Sequence, residues 1–236
     1  YFIAGYAMEQ ASGKSWEEIG HEVRQKLRDD ATQLELFAVD GEIGLDRHLA
    51  TEADHAQRCI WHVPRDLKYA MWEDHAPLQE RKQMAGKVAG LVGIEVPAED
   101  WEDVSRKDKS ALQDAVKKNE EEMKSLAHNF REKGYPKAAT YLENAMGNVF
   151  SHVRLWLETG VVAPRTTSIL ENIMREIGRR AKKLGWNWTD DGVVQMTKMV
   201  LLRRYDEAEW NSYWKRKLDL QNRCRINITS ITRQAA

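Results

Sequence analysis

Glu171 is the acidic residue whose surroundings suggest chemistry most strongly. It lies in residues 165–185, which read RTTSILENIMREIGRRAKKLG. In a helix, Glu171, Arg175, Gly178 and Lys182 recur at i, i+4, i+7 and i+11 and therefore share a face. A carboxylate beside such a basic surface can hold a metal ion against a nucleic-acid backbone.

The same stretch also has a purely structural interpretation. Ser168 and Glu171 have the spacing of a capping box, in which Glu171 would only tie down the start of the helix. Apolar residues at helical spacing predict a packed face, formed by Ile169, Leu170, Ile173, Met174, Ile177, Ala181 and Leu184. Taken alone, the stretch favours this interpretation over a metal site.

Asp40 is a second candidate carboxylate. It follows the apolar run LELFAV at residues 34–39, which predicts a strand. Open α/β sheets place functional groups at the carboxyl ends of their strands, which would suit a metal ligand. Alternatively, Asp40 and Gly41 form a turn whose aspartate caps the next helix, and an isolated Asp-Gly pair favours that interpretation.

Cys59 and His62 form a Cys-x-x-His pair. Structural zinc needs four ligands, and Cys224 is too distant in the chain to count as a partner by spacing. The pair therefore favours a small buried cysteine and a hydrogen-bonded histidine where a strand meets a helix.

The composition is that of a globular protein with an uneven charge distribution. The 236 residues suffice for one or two domains, and 31% of them are charged. The net charge is -1, but residues 165–204 contain nine Lys/Arg against four Asp/Glu, whereas residues 95–122 are acidic. The basic region predicts a surface that faces a polyanion. Two cysteines exclude a disulfide framework, and no apolar run approaches the ~18 residues of a membrane span.

The predicted elements change character along the chain. Residues 1–8 and 34–39 are predicted strands separated by an amphipathic helix that begins at Ser15, which implies a parallel pair with a right-handed crossover. Residues 77–158 are predicted to contain helices and no strands, with breaks at residues 96–98 and 134–136. Further helices are predicted at residues 165–185, at residues 192–204 with Thr189 as the cap, and at the start of the last segment.

Three stretches together resemble a known family. They are AVDGEIGL at residues 38–45, QRCIWH at residues 57–62, and RTTSILE at residues 165–171 with the basic residues that follow. In this order they resemble the Mutator-like DDE transposases of prokaryotic insertion sequences. One departure is Asn172, where the family commonly has arginine.

The resemblance implies an α/β fold with a ribonuclease H-like core, an all-helical insertion and a helical C-terminus. The implied divisions are residues 1–62 for a partial core, 63–160 for the insertion, and 161–236 for the helix with the final glutamate and the C-terminal helices. The family's first catalytic aspartate has no match. The chain is therefore expected to be N-terminally truncated, to lack the first strand, and to be inactive as the isolated fragment.

The resemblance also implies the chemistry. Asp40 and Glu171 would bind Mg²⁺ or Mn²⁺ as catalytic ligands for cleavage and strand transfer at transposon ends. Cys59 and His62 would shape the site or touch DNA. Phosphate contacts would come from Arg165, Arg175, Arg179, Arg180, Lys182 and Lys183. The implied partners are transposon-end and target DNA and further copies of the chain in a synaptic complex. The implied location is the cytoplasm, at the nucleoid, without a membrane.

Two other functions remain open at this point. A domesticated or decayed transposase would bind DNA without cutting it, which agrees with the missing first aspartate. An unrelated helical interaction protein, whose acidic middle docks a partner, would leave the three ordered stretches as coincidence.

Overall fold

The computed structural model describes residues 13–29, 34–41, 53–98, 100–183 and 189–218. Two strands, β1 (Leu34–Val39) and β2 (Ala53–Arg58), are accompanied by helices. In chain order the described helices are α1 (Gly13–Asp29), α2 (His62–Glu73), α3 (Leu78–Val92), α4 (Arg106–Glu132), α5 (Pro136–Met146), α6 (Ser151–Thr159), α7 (Ser168–Lys183), α8 (Asp190–Tyr205) and α9 (Glu207–Lys217).

The predicted α/β fold with a ribonuclease H-like core is wrong. The described part of the chain is 72% helix and 6% strand, and its two strands form one small parallel sheet. The register runs from Leu34 opposite Ala53 to Val39 opposite Arg58. The predicted first strand at residues 1–8 lies outside the described residues.

Helices α2 to α6 build most of the core, which is why a sheet does not dominate the fold. Each contributes an apolar face, and the fully buried large side chains include Leu67, Met71, Met123, Phe130, Leu142 and Phe150. Burying one such side chain contributes about 1.5–3 kcal/mol, so helix-on-helix contacts supply most of the hydrophobic stabilisation. The sheet attaches to this core through β2 and α6.

Several predicted helices are confirmed, although α1 begins at Gly13 and not at the predicted Ser15. The Ser105 hydroxyl accepts a hydrogen bond from the Asp108 N–H at 3.2 Å and caps α4. The Thr189 hydroxyl accepts from the Gly192 N–H at 3.2 Å and caps α8. Pro136 opens α5, where its missing N–H is harmless. The helical prediction for residues 77–158 is confirmed by α3 to α6.

The described residues form two compact units. One contains the described residues up to Glu171, and the other contains those from Asn172 onward. No helix in the described ranges is long and apolar enough to cross a membrane.

The predicted apolar face of α7 is only partly buried. Ile173 is buried at 4% exposure, whereas Ile169, Leu170 and Met174 are more than half exposed. The spacing of these residues correctly predicts the helix, but it does not show that every apolar position has a packing partner.

Candidate active site

Cys59 joins the two chain segments that contain the candidate carboxylates. Its N–H donates to the carbonyl of Val39 at 2.8 Å, and Asp40 is the next residue. Its sulfur accepts from the N–H of Thr167 at 3.4 Å and lies 3.5 Å from the Thr167 hydroxyl. Thr167 immediately precedes α7. Cys59 therefore contacts the end of β1 through its backbone and the start of α7 through its buried sulfur.

His62 lies beside the Glu171 carboxylate. The distance from His62 Nε2 to Glu171 Oε1 is 3.6 Å, longer than a good hydrogen bond but within ion-pair range for a protonated imidazole. His62 is buried and its carbonyl accepts from the Tyr141 hydroxyl at 3.4 Å, whereas the Glu171 side chain is 49% exposed. A buried imidazole thus flanks a carboxylate that solvent can reach.

The capping-box interpretation of Glu171 is wrong. The helix already includes Ser168, whose hydroxyl lies 2.9 Å from the Thr166 hydroxyl. The backbone N–H of Glu171 donates to the Thr167 carbonyl at 3.1 Å, and its carboxylate faces His62. The carboxylate is therefore not used to tie down the helix start.

The backbone conformation of Gly41 and its closeness to Arg58 explain why the residue after Asp40 is a glycine. Gly41 has a φ of 100°, and a Cβ at this position would lie 1.3 Å from Arg58 Nη1. The Arg58 guanidinium is held over the Tyr141 ring, 5.5 Å from its centroid, and donates to the Tyr141 hydroxyl at 3.3 Å. The Asp-Gly and Gln-Arg-Cys stretches are thus in contact through this guanidinium.

Replacing Gly41 with alanine is expected to destabilise the protein by about 1–3 kcal/mol. The positive φ strains any residue with a Cβ, and the Arg58 guanidinium must also move. Gly86→Ala in α3 is the matched control, because a Cβ there meets nothing within 4 Å and alanine favours a helix. Urea unfolding of both variants measures the difference. Equal stability of Gly41→Ala and the parent would contradict this account of the turn.

Gln57 is a fully buried amide at the end of β2 whose polar atoms are all engaged. Its Nε2 donates to the carbonyls of Arg58 at 2.6 Å and Val149 at 2.9 Å. Its Oε1 accepts from the His152 backbone N–H at 2.7 Å and lies 3.1 Å from His152 Nδ1. These bonds fix the strand that leads into Cys59 against the start of α6.

His152 gives this network a pH dependence. Burial lowers the pKa of its imidazole, and the hydrogen bond between Nε2 and the Ile94 carbonyl opposes that shift. Because the folded pKa lies below the unfolded value, the unfolded state binds the proton more readily. Folding stability should therefore fall as the pH drops from about 6.5 through the folded pKa.

We expect His152→Gln to flatten the loss of stability between about pH 7 and pH 5. The control is His128→Gln, since His128 is exposed and only pairs with Glu132 one helical turn away. Urea unfolding at both pH values measures the change. A pH dependence that survives His152→Gln but disappears in His128→Gln would contradict the assignment.

Cys59 has the burial that the structural interpretation of the motif expects, whereas the His62 imidazole lacks the expected hydrogen bond, since its Nδ1 is buried without a partner among the residues that the structure describes. Cys59 is fully buried where β2 leads into α2, and its sulfur contacts Thr167. Within the described ranges, no three His, Cys, Asp or Glu side chains are grouped to hold a metal ion. The residues Asp40 and Glu171 are both exposed to solvent.

Of the predicted DNA-binding residues, some form ion pairs with glutamates and others are exposed to solvent. Arg165 Nη2 lies 2.6 Å from Glu95 Oε1. Arg180 contacts Glu176 at 2.6 Å. The side chains of Arg175 and Arg179 are exposed, and those of Lys182 and Lys183 lie outside the described residues.

Sequence reasoning missed the supporting residues Gln57, Arg58 and Thr167. Gln57 and Arg58 belong to the QRCIWH stretch, but the sequence indicates a role for neither residue. A buried glutamine has no periodicity that reveals it, and the contact between Thr167 and the cysteine sulfur joins residues 108 positions apart.

Comparisons of the chain with protein-family models, with curated proteins and with solved structures find no match.

Proposed function

We propose that the protein cuts and joins DNA strands in a metal-dependent reaction of the DDE transposase type. The observation that supports this most is the junction at Cys59, which holds the segment ending in Asp40 and the helix start that leads to Glu171. The proposal depends on these residues and not on a fold class, because the same chemistry can occur on different folds.

The donor set fits Mg²⁺ or Mn²⁺. Asp40 and Glu171 offer carboxylate oxygens, and Mg²⁺ is commonly held by one or two carboxylates together with phosphate oxygens of a substrate. When bound, the metal would supply Lewis acidity toward the phosphate that is attacked. These two carboxylates would be its protein ligands.

The neighbouring residues of the chain would position these ligands. Cys59 fixes the two backbone segments, and His62 flanks Glu171 at 3.6 Å. The exposed guanidinium groups of Arg175 and Arg179 would bind backbone phosphates, an interaction that weakens with salt. Acting on DNA, the protein would be found at the nucleoid and would work as an assembly of several copies.

The test measures nicking and joining of plasmid DNA by the protein expressed from its complete gene. We expect products with Mg²⁺ or Mn²⁺, no products with EDTA, and a loss of about a thousandfold or more in Asp40→Asn. Asp191→Asn, an exposed aspartate in α8, is the control and should keep the activity. Products that persist in EDTA or in Asp40→Asn would overturn the proposal.

A second candidate is a DNA-binding protein that has lost the chemistry. The observation that favours it is that the described residues group no three metal ligands. This protein would bind duplex DNA with the salt dependence of phosphate contacts but would give no products with any divalent metal. The plasmid assay combined with a DNA-binding titration therefore separates the two functions.

A further inference from the structure

Helix α2 has an outward face that carries both aromatic and basic side chains. Trp61, Tyr69 and Trp72 are exposed by 75%, 63% and 60%, unusually large fractions for such residues. Arg65 and Lys68 are exposed between them. We call these five residues the aromatic-basic face.

The five residues lie on one side of the helix. Trp61 immediately precedes α2 and already has helical dihedral angles, with φ of -76° and ψ of -37°. At 100° per residue the five positions fall within an arc of about 100°, and the rise from Trp61 to Trp72 is about 16 Å. That length matches about five nucleotides at the 3.4 Å spacing of a stacked strand.

The orientation of this face is fixed by the opposite side of the helix. Val63, Leu67 and Met71 are fully buried in the core, so α2 cannot rotate to bury its tryptophans. Exposed rings of this size are expected where a partner covers them. Lys68 argues against a protein partner, because the centres of protein interfaces are depleted of lysine. The two positive charges together suit a polyanion.

We propose that the aromatic-basic face binds an unpaired DNA strand, with bases stacked on the rings and phosphates beside Arg65 and Lys68. Every base presents a π-face, so stacking tolerates any sequence. An intact duplex keeps its base faces inside the stack and offers them to no ring along its length. The face therefore suits a strand that has been opened and not a closed double helix.

The position of the face relative to the candidate site supports this partner. Helix α2 begins at His62, which flanks Glu171. Arg65 donates to Asp66 at 2.7 Å, and this bond, followed by the charges of Asp66 and Glu171, raises the pKa of its guanidinium. A strand held along α2 would thus end beside Glu171, and in this respect the inference rests on the proposed function.

The test is the affinity for a labelled single-stranded oligonucleotide of about 15 thymidines, measured by anisotropy and by quenching of tryptophan fluorescence. The double variant Trp61→Ala/Trp72→Ala should bind it about a hundredfold more weakly, since each stacked ring contributes about tenfold. Trp61→Phe/Trp72→Phe should recover most of the affinity, because phenylalanine also stacks. Binding of the same sequence as a duplex should change by less than about threefold.

The control variant is Tyr205→Ala. It removes an aromatic ring that is 40% exposed in the other compact unit and should leave single-strand affinity unchanged.

The variant Lys68→Gln tests the phosphate contact. It should lower the salt slope of single-strand binding by about 0.7, the contribution of one phosphate contact. Equal losses for single strand and duplex, or no loss in the double alanine variant, would overturn the inference. A double alanine variant that changes only the oligomeric state would also overturn it and would assign the face to self-association.

The experiments distinguish a failure of this inference from a failure of the proposed function. If Asp40 and Glu171 are needed for cutting but the ring variants bind single strands normally, only the inference about α2 fails. If the ring variants lose single-strand binding but no metal-dependent cutting occurs, the proposed enzymatic function fails and the binding face stands.

Discussion

Glu171→Gln is expected to lower the rate of metal-dependent DNA cleavage by about a thousandfold or more. The amide has nearly the same size but no negative charge, so it is a poor ligand for Mg²⁺. A bound metal contributes several kcal/mol of charge stabilisation in the transition state, and each 1.36 kcal/mol is a factor of ten in rate. Because the side chain is 49% exposed, the free energy of unfolding should change by less than about 0.5 kcal/mol.

The matched control for Glu171→Gln is Glu176→Gln in the same helix. Glu176 pairs with Arg180 at 2.6 Å and with Arg204 at 3.7 Å, and its carboxylate is not a proposed metal ligand. Gel analysis of plasmid nicking should show near-parental rates for Glu176→Gln. Comparable losses in both variants would mean that Glu171 acts only through the general charge of the helix.

Gln57→Leu is expected to destabilise the protein by about 3 kcal/mol or more. Leucine has a similar volume but leaves the Val149 carbonyl and the His152 groups without their amide partners. An unsatisfied buried polar group costs about 1–3 kcal/mol, and more than one is created here. The same substitution loosens the strand that leads to Cys59, so any cleavage activity should fall together with stability.

The control for Gln57→Leu is Gln83→Leu, because Gln83 is exposed in α3. Its free energy of unfolding should stay within about 0.5 kcal/mol of the parent. Urea unfolding monitored by circular dichroism gives both values. A cost below about 1 kcal/mol at Gln57 would contradict the view that its hydrogen bonds hold β2 against α6.

Local signals in the sequence predict the helices and β1 well. Thr189 accepts the capping bond that its position suggests, and the LELFAV run is a strand. These features depend on neighbours within a few residues, which the sequence displays directly. The apolar positions of α7 identify a helix for the same reason but not its packing partner.

The fold class was predicted wrongly because α2 to α6 build most of the core, and the small sheet has a partner strand that the sequence does not reveal. Residues 53–58 read ADHAQR, without the alternating apolar pattern of an ordinary strand. Its burial depends on the hydrogen bonds of Gln57 to residues more than 90 positions away. A resemblance carried by three short motifs likewise could not supply the architecture between them.

The roles that the sequence predicts for the candidate site stay predictions, but the structure shows which of its residues lie together. The structure shows Cys59 in contact with both candidate segments and His62 beside Glu171, which agrees with the motifs acting together. The supporting roles of Thr167 and Arg58 could not be derived, since both depend on contacts distant in the sequence. Metal binding by the two carboxylates stays a prediction.

The most direct test of a shared metal is Mn²⁺ binding, measured by electron paramagnetic resonance with duplex DNA present. We predict that Asp40→Asn and Glu171→Gln each weaken the same bound ion by about tenfold or more, and that the double variant loses no further ion. Glu176→Gln should bind as the parent does. Unchanged Mn²⁺ binding in either single variant, or the loss of two different ions, would contradict a metal site formed by Asp40 and Glu171.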